Sequence, residues 1–215
     1  MKHHHLPALL RRHVTALRML LVFTVVTGIV YPLAVTGIAQ AAFSDRANGS
    51  LLKGHGTPVA SNLLGQRFDL PKKHPNDPKE EPHPDPKWFQ PRPSAADAGA
   101  GAYDPTNSSA SNLGPTSTKL LKVITERRAA VAAFNGVKPQ DVPVDAVTAS
   151  GSGLDPDISP AYARQQVHRI AQARHLPADR IRALVEQHVR GRDLGFLGQQ
   201  RVNVIELNDA LRMLH

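Results

Sequence analysis

The strongest constraint on this chain is a stretch of 25 residues, from 19 to 43, that contains no charged side chain. A helix of that length extends roughly 37 Å, which exceeds the roughly 30 Å hydrocarbon core of a bilayer. The sequence therefore predicts one membrane-spanning helix over 19–43. We expect a kink at Pro32, which lacks a backbone donor, and close approach of another helix at the small residues. The residues singled out as the membrane anchor are Leu20, Val25, Gly28, Pro32 and Gly37.

Two other interpretations of the apolar stretch stay open. A cleaved signal peptide is one, because residues 39–41 read Ala-Gln-Ala, the small-x-small form of a cleavage site. The apolar part of a signal peptide is shorter, however, at about 7 to 15 residues. A buried core helix is the other, although such helices seldom remain uncharged over this length. The length of the stretch favours a retained anchor.

Charges on the two sides of the apolar stretch predict its orientation. The basic N-terminal arm, residues 1–18, carries four Lys or Arg side chains and no Asp or Glu. The first dozen residues after the stretch carry two basic side chains and one acidic one. Because positive charge favours the cytoplasmic side, we expect a cytoplasmic N-terminus. The soluble domain, residues 44–215, is then expected on the periplasmic or extracellular side.

Composition restricts what the soluble domain does. The chain has a net charge of +8, and the N-terminal arm supplies half of it. The remaining domain is mildly basic, without the Lys and Arg clusters interleaved with aromatic residues that nucleic-acid binding requires. The chain contains no cysteine, which excludes disulfides and thiol chemistry. Its length suffices for a single domain with a real core.

The middle of the chain is unusually rich in proline, with eight of the 18 prolines between 71 and 93. This composition predicts a polyproline-like excursion on the surface. His74, Asp77, His83 and Asp85 lie in it and have side chains that bind metals, but nothing in the pattern fixes them in space. A solvated, flexible insertion is therefore favoured, and no metal site is predicted. The stretch before it, 61–70, is compatible with a strand.

Alternating helix and strand signals follow from Thr118 onwards. An apolar stripe predicts a helix from Thr118 to a C-cap at Gly136, and alternation predicts a short strand over 142–150. Ser159 before Pro160 is a good N-cap, and a further helix begins at Pro177 and is closed by Gly191. Residues 201–208 read as a strand, followed by a short terminal helix. The predicted fold class is α+β, a mixed domain behind one membrane helix.

Signals for catalysis are weak. The chain has no GxxxxGK[ST] loop, no GxSxG or HExxH motif and no DKTGT sequence. Asp155 and Asp157 are close in sequence, but they precede a helix, where carboxylates favour the N-terminus and shape the turn. His168 and His188 are interpreted as packed or surface residues. No catalytic residue is predicted from these patterns.

Four ordered motifs carry a resemblance to a known family. They are WFQPRPSA at 88–95, SASNLGPTS at 109–117, the long segment at 142–174 that contains TASGSGLDPDISP, and LGFLGQQRVNVIELNDAL at 194–211. In this order, behind a helix and a basic arm, they closely resemble the C subunit of the Kdp-type potassium-transporting P-type ATPase, the KdpC family. The resemblance covers nearly all of the chain from residue 15, and the proline-rich excursion departs from it.

The resemblance implies a non-catalytic accessory subunit of an ATP-driven, high-affinity potassium uptake pump in the cell inner membrane. The implied partners are a channel-like potassium-binding subunit, a P-type ATPase subunit and a small stabilising peptide. The family is described as necessary for assembly and as a catalytic chaperone that raises the ATP affinity of the ATPase subunit. ATP on that subunit is accordingly the one implied cofactor, in transient contact.

Residues that match the family's motifs are the candidate contacts with a partner or ligand. They are Arg92, Ser94, Ser111, Asn112, Thr148, Ser150, Ser152, Asp155 and Gln166. Such residues in turns also commonly bond their own backbone. The ATP role conflicts with the predicted orientation, unless the orientation is inverted or the effect passes through the membrane subunits. A third option is that the outer domain covers the ion entrance of the channel subunit.

The competing class is an anchored, exported enzyme or ligand-binding domain unrelated to transport. It predicts activity or ligand binding by the domain after the helix is removed. The motifs supply neither a nucleophile nor a metal-ligand set for it.

Overall fold

The computed structural model describes residues 7–54, 57–74, 77, 80, 83–96 and 103–214. The chain divides into two compact units, one ending at Ser50 and one beginning at Leu51. Each unit is described by itself.

The first unit contains a long helical stretch, Ala8–Ala47, of 40 residues. It consists of α1 (Ala8–Val25), a π-helical turn (Val26–Val30) and α2 (Tyr31–Ala47). None of its residues is buried, and it is the one helix among the described residues that is long and apolar enough to cross a membrane. The helix thus begins inside the predicted basic arm and ends beyond the uncharged stretch.

A kink is predicted at Pro32, but the structure instead has a π-helical turn, Val26–Val30, that ends two residues before the proline. A proline ring collides with the carbonyl four residues earlier, and a wider turn gives that carbonyl room. The backbone angles stay helical on both sides, at Val30 (φ −63°, ψ −49°) and at Tyr31 (φ −62°, ψ −51°). Non-helical angles occur instead at Phe43 (φ −142°, ψ 42°).

The second unit begins with an antiparallel pair, β1 (Leu51–Gly54) and β2 (Thr57–Ser61). The strand expected over 61–70 is wrong for most of that range. A turn follows β2, and only Asp69 forms an isolated bridge, with Pro84. Backbone hydrogen bonds from Leu70 to His83 and from Asp85 to Phe68 extend this bridge. The bridge thus joins the two ends of residues 70–83, which contain the first part of the proline-rich stretch.

The long helix of the middle region agrees with its sequence signals. Helix α3 spans Thr118–Asn135, the Ser117 hydroxyl accepts the Leu120 N–H at 3.3 Å, and Gly136 ends it with a left-handed φ of 66°. The strand expected over 142–150 is wrong. That range contains a 3₁₀ turn at Val144–Ala146, and another 3₁₀ turn, Pro139–Asp141, precedes it. The two turns begin at or directly after prolines, which fix φ near its helical value.

Three helices follow towards the C-terminus. The first starts where the sequence predicts, whereas the end of the second and the start of the third differ from the prediction. Helix α4 is Pro160–Arg174 with Ser159 as its cap, as expected. Helix α5 is Ala178–Gln187 and ends at His188, not at Gly191. Helix α6, Val204–Arg212, begins inside the range predicted as a strand, because the Asn203 side chain accepts the N–H groups of Ile205 and Glu206.

A small antiparallel sheet lies between these helices. It contains β3 (Asp157–Ile158), β4 (Val189–Arg190) and β5 (Arg201–Asn203), in the order β3-β5-β4. One core cluster connects the sheet with α4, α5 and α6. Fully buried members of this core include Phe89, Ile170, Ile181, Val185, Val202, Leu207 and Leu211. The predicted α+β class is confirmed.

Candidate functional site

The site is built around a segment without regular secondary structure, residues 84–94, that runs through the interior of the domain. Phe89 is fully buried and Gln90 is 8% exposed, although both lie in the stretch predicted as a surface excursion. That part of the prediction is wrong because the WFQ motif carries two large aromatic rings, which pack against the core. A buried backbone needs hydrogen-bond partners, and here side chains supply them.

Amide side chains from two helices bind this segment. The Phe89 N–H donates to Asn208 Oδ1 and Asn208 Nδ2 donates to the Phe89 carbonyl, both at 2.9 Å. The Gln90 N–H donates to Gln166 Oε1 at 2.7 Å, and Gln166 Nε2 donates to the Gln90 carbonyl at 3.0 Å. Each side-chain amide thus forms, with one residue of the segment, the two backbone hydrogen bonds that a neighbouring strand would otherwise form. Gln166 and Asn208 are 0% and 2% exposed.

Arg169 completes this clamp. Its Nη1 donates to the carbonyls of Pro86 and Trp88, and its Nη2 donates to Gln166 Oε1 at 2.7 Å. Its guanidinium also lies 4.4 Å from the centre of the Phe134 ring. Burial lowers the pKa of Arg169 to about 10, which leaves it charged at neutral pH. The clamp fixes the interior segment against α3 and α4.

A cleft of about 350 Å³ lies between the interior segment and α3. Its wall is largely apolar, with Phe134, Val131 and three prolines. Three arginines also line it, together with two tyrosines. Those five residues are Arg67, Arg92, Arg127, Tyr103 and Tyr162. An apolar cleft with a few convergent polar groups is the usual form of a binding site.

Arg92 is held in place on several sides. Its Nη1 lies 2.9 Å from Asp155 Oδ2, its Nε donates to the Thr148 carbonyl at 3.2 Å, and its own carbonyl accepts the Tyr103 hydroxyl. Burial raises the pKa of Tyr103, so its hydroxyl stays protonated and donates. Arg127 is held less firmly, with one bond to the Val147 carbonyl at 3.3 Å. Burial lowers the pKa of Arg127.

The Gly-rich turn, residues 150–154, lies beside this cleft and is stabilised by its own serines. The Gly153 N–H donates to Ser150 Oγ at 2.8 Å, and the Leu154 N–H donates to Ser152 Oγ at 3.1 Å. Ser94 Oγ donates to the Gly153 carbonyl at 2.5 Å. Gly153 has a φ of +71°, and a Cβ there would lie 2.6 Å from the backbone nitrogen of Ala96. The position therefore requires glycine.

The predicted contact residues fall into four groups. Arg92, Thr148 and Asp155 meet beside the cleft. Gln166 is buried in the clamp, and Ser94, Ser150 and Ser152 lie at the Gly-rich turn. Ser111 and Asn112 are exposed, and neither side chain forms a hydrogen bond with another described residue. Their contact with a partner stays a prediction.

Asp155 shapes the turn before α4, as expected, and also takes part in an ion pair. The N-cap Ser159 accepts the Tyr162 N–H at 3.0 Å, while its own N–H and hydroxyl donate to Asp145 at 2.7 Å and 2.8 Å. Asp155 pairs with Arg92 and accepts the Asp157 N–H at 2.9 Å. Asp145, which the sequence reading did not single out, therefore supports the helix start.

The remaining sequence candidates are not among the residues that line the cleft. In the helix, Leu20 is 64% exposed, and a methyl group added at Gly28 or Gly37 would meet no atom within 4 Å. His188 Nδ1 lies 2.8 Å from the Leu184 carbonyl, and His168 is exposed. In the described parts of the chain, no three His, Asp or Glu side chains are grouped so as to hold a metal ion.

Sequence reasoning missed Arg127, Arg169, Tyr103 and Asn208. Arg127 and Arg169 lie on helical faces where a basic residue normally marks the solvent side, and no spacing distinguishes them from exposed arginines. Tyr103 lies in a stretch that reads as polar loop. Asn208 offered one usable signal, since it stands among apolar residues at the spacing of a buried helical face.

The structure defines a class of protein: a small α+β domain carried on one helix that is long and apolar enough to cross a membrane. Comparison with known sequences shows to which family within that class the chain belongs. The sequence model of KdpC, described as the K⁺-transporting ATPase c chain, matches residues 13–213. The chain belongs to the KdpC family.

Individual relatives agree over nearly the whole length. The potassium-transporting ATPase KdpC subunit of Streptomyces avermitilis is 52% identical over 206 residues, which cover 92% of this chain and 91% of the relative. The KdpC subunit of Kineococcus radiotolerans is 54% identical, over 95% of this chain and 94% of the relative. The KdpC subunit of Mycobacterium tuberculosis is 49% identical, over 95% and 99%.

Proposed function

We propose that this chain is a non-catalytic subunit of an ATP-driven potassium uptake pump, and that its role is to hold the pump together. The observation that carries the proposal is the family match over residues 13–213, which includes both the long helix and the domain. A relationship restricted to the domain would leave the anchor unexplained. The relatives are named as KdpC subunits of potassium-transporting ATPases.

The proposed partners are the other subunits of the pump: a channel-like potassium-binding subunit, a P-type ATPase subunit and a small stabilising peptide. The exposed apolar surface of the helix supplies one contact, since packing of helices within a membrane depends on close van der Waals contact. Gly28 and Gly37 are open positions at which a partner helix fits closely. The domain supplies the second contact, with the parts of the pump subunits that are exposed on the periplasmic or extracellular side.

The proposed location is the cell inner membrane, crossed once. The N-terminus lies in the cytoplasm and the domain on the periplasmic or extracellular side, because basic residues are concentrated before the apolar stretch. A reporter enzyme fused after His215 tests this orientation. Activity of an exported reporter agrees with it, whereas activity of a cytoplasmic reporter reverses it.

An effect on ATP affinity then has to cross the membrane. ATP is hydrolysed in the cytoplasm, so a domain on the other side acts on it as a coupling free energy carried by the membrane subunits. The proposal accordingly assigns ATP to the ATPase subunit and no nucleotide to this domain. Contact of the domain with the ion entrance of the channel subunit would let a movement of the domain act directly on that subunit.

The test is co-purification with an affinity-tagged ATPase subunit. Deleting residues 1–47 is expected to remove the domain from the complex. Replacing residues 8–47 by an unrelated single-span helix retains the tether and removes the specific helix surface, so it separates anchoring from contact. A domain that co-purifies equally well without any helix contradicts the proposed role of the helix.

The competing function, an anchored domain that binds its own ligand, is favoured by one observation, the cleft beside Arg92 and Arg127. It predicts ligand binding by the full chain in detergent without the other subunits. Replacing Arg127 by Met removes the more loosely held cation of the cleft. Loss of ligand binding with unchanged co-purification then supports the competing function.

A further inference from the structure

The hairpin between β4 and β5 ends in an exposed apolar tip. Leu194 is 83% exposed, Phe196 69% and Leu197 49%, and these three residues stand at the turn itself. Two backbone hydrogen bonds at 2.9 Å, in both directions between Asp193 and Leu197, close the tip. Exposed apolar side chains grouped at one place mark contact with a partner or a membrane.

The backbone at this tip adopts an unfavourable conformation. Leu194 has a φ of +54°, a conformation that residues other than glycine rarely adopt. Gly195 and Gly198 follow with φ values of +83° and +74°. Within the described domain Leu194 gains no burial in return. Such strain indicates a function of the exposed tip outside the domain.

The tip is also basic. Three arginines and one aspartate lie between residues 189 and 201. Arg190 pairs with Glu206, and Arg201 pairs with Asp157 and Asp193. Arg192 forms no ion pair with the described residues, so a positive charge adjoins the apolar side chains. This combination is typical of segments that bind anionic membrane surfaces.

The base of this hairpin is connected, within the domain, to the first strands after the tether. Only three residues separate the helix end at Ala47 from Leu51, and they reach about 14 Å at most. Leu51 pairs with Ser61. The next residue, Asn62, donates to Glu206 at 2.8 Å, and Glu206 pairs with Arg190 of β4. The hairpin therefore starts close to the tethered end of the domain.

We propose that the tip, Leu194 to Leu197, inserts into the headgroup region of the bilayer that carries the long helix, with Arg192 on anionic lipid phosphates. The tether keeps the domain near that surface, and Arg192 supplies the positive charge that anionic lipid headgroups attract. The proposal rests on retention of the helix in the membrane. It gives the domain a second attachment to the membrane.

The absence of cysteine from the chain makes a direct test simple. Phe196→Cys in the full chain carries an environment-sensitive fluorophore at one site. Ala133→Cys, on the exposed face of α3, is the matched control. Both are reconstituted without other subunits in vesicles of phosphatidylcholine, alone or mixed equally with phosphatidylglycerol. Lipids that carry a nitroxide at the headgroup boundary are the quencher.

We expect blue-shifted emission and several-fold stronger quenching at residue 196 than at residue 133 in the anionic vesicles. Adding Arg192→Gln to Phe196→Cys should reduce that quenching at least twofold. Equal quenching at the two sites overturns the proposal. Quenching that is unchanged without anionic lipid overturns the role of Arg192.

Two further outcomes separate this proposal from the proposed function. Carbonate extraction reports independently whether the helix is integrated. A chain that is extracted contradicts both proposals, whereas an integrated chain with an unquenched tip contradicts only the present one. Protection of residue 196 that occurs only after the other pump subunits are added assigns the tip to a protein contact and overturns the bilayer assignment.

Discussion

The side-chain amide of Gln166 is hydrogen-bonded to both backbone polar groups of Gln90, at 2.7 Å to the N–H and 3.0 Å to the carbonyl. The two residues are 76 positions apart in the sequence. The bonds connect the middle of α4 to a segment that has no secondary structure of its own. Asn208 does the same for Phe89 from α6. Helices in this domain thus bind an extended chain as a sheet edge would.

Gln166→Leu is expected to destabilise the domain by about 2–4 kcal/mol, because it leaves the buried N–H and carbonyl of Gln90 and one donor of Arg169 without partners. Gln172→Leu, on the exposed face of the same helix, is the control and should change stability by less than about 0.5 kcal/mol. Denaturant unfolding of the full chain in detergent measures both. The fluorescence of Trp88, the single tryptophan, reports the domain.

The sequence was sufficient for elements whose signals are local. Ser159 before Pro160 and Gly136 after Asn135 predicted helix ends correctly, because caps depend on residues within one turn. The apolar stretch similarly predicted the long helix. Such features need no knowledge of the rest of the fold.

Elements that depend on distant partners could not be predicted in this way. The strand predicted over 201–208 is only Arg201–Asn203, because its length is set by pairing with the short strands β3 and β4, and the chain is helical from Val204. The buried course of Phe89 depends on amides from α4 and α6, and no local pattern near residue 89 encodes them. The cleft likewise assembles Arg127 and Tyr103 from separate parts of the chain.

Gly153→Ala is expected to destabilise the domain by about 2 kcal/mol or more, since the left-handed φ disfavours alanine and the new methyl group would contact Ala96 and Ser109. Gly151→Ala is the matched control two residues away, where a methyl group meets no atom within 4 Å. Thermal unfolding of both variants is the measurement. Equal melting temperatures would show that the turn relaxes without cost.

Asp157→Asn is expected to stabilise the domain at neutral pH. Burial, and next the charge of Asp155, raise the pKa of Asp157, and its Oδ1 is buried without a hydrogen bond among the described residues. The folded state therefore holds this proton more tightly than the unfolded state. Ionisation costs stability as pH rises from the unfolded pKa, about 3.9, through the raised folded value, and the cost persists above it.

Unfolding experiments at a series of pH values test this. The gain from Asp157→Asn should be largest at neutral pH and disappear below about pH 3, where both states are protonated. Asp193→Asn is the control, since Asp193 also pairs with Arg201, at 3.5 Å, but its side chain is 68% exposed. Destabilisation by Asp157→Asn at neutral pH would mean that the ion pair with Arg201, at 3.4 Å, outweighs the cost of burial.

Ser111 and Asn112 allow contact with a partner to be separated from folding, because both are exposed. Asn112 has a φ of +51°, so Asn112→Gly removes the side chain and keeps the backbone relaxed. We expect Ser111→Ala with Asn112→Gly to leave thermal stability within about 0.5 kcal/mol and to reduce co-purification of the pump subunits. Thr125→Ala, an exposed hydroxyl on α3, is the control and should alter neither measurement. If the double variant co-purifies as well as the unchanged chain, these two residues lie outside the contact, and the predicted contact residues that remain are those that the domain uses to hold its own fold.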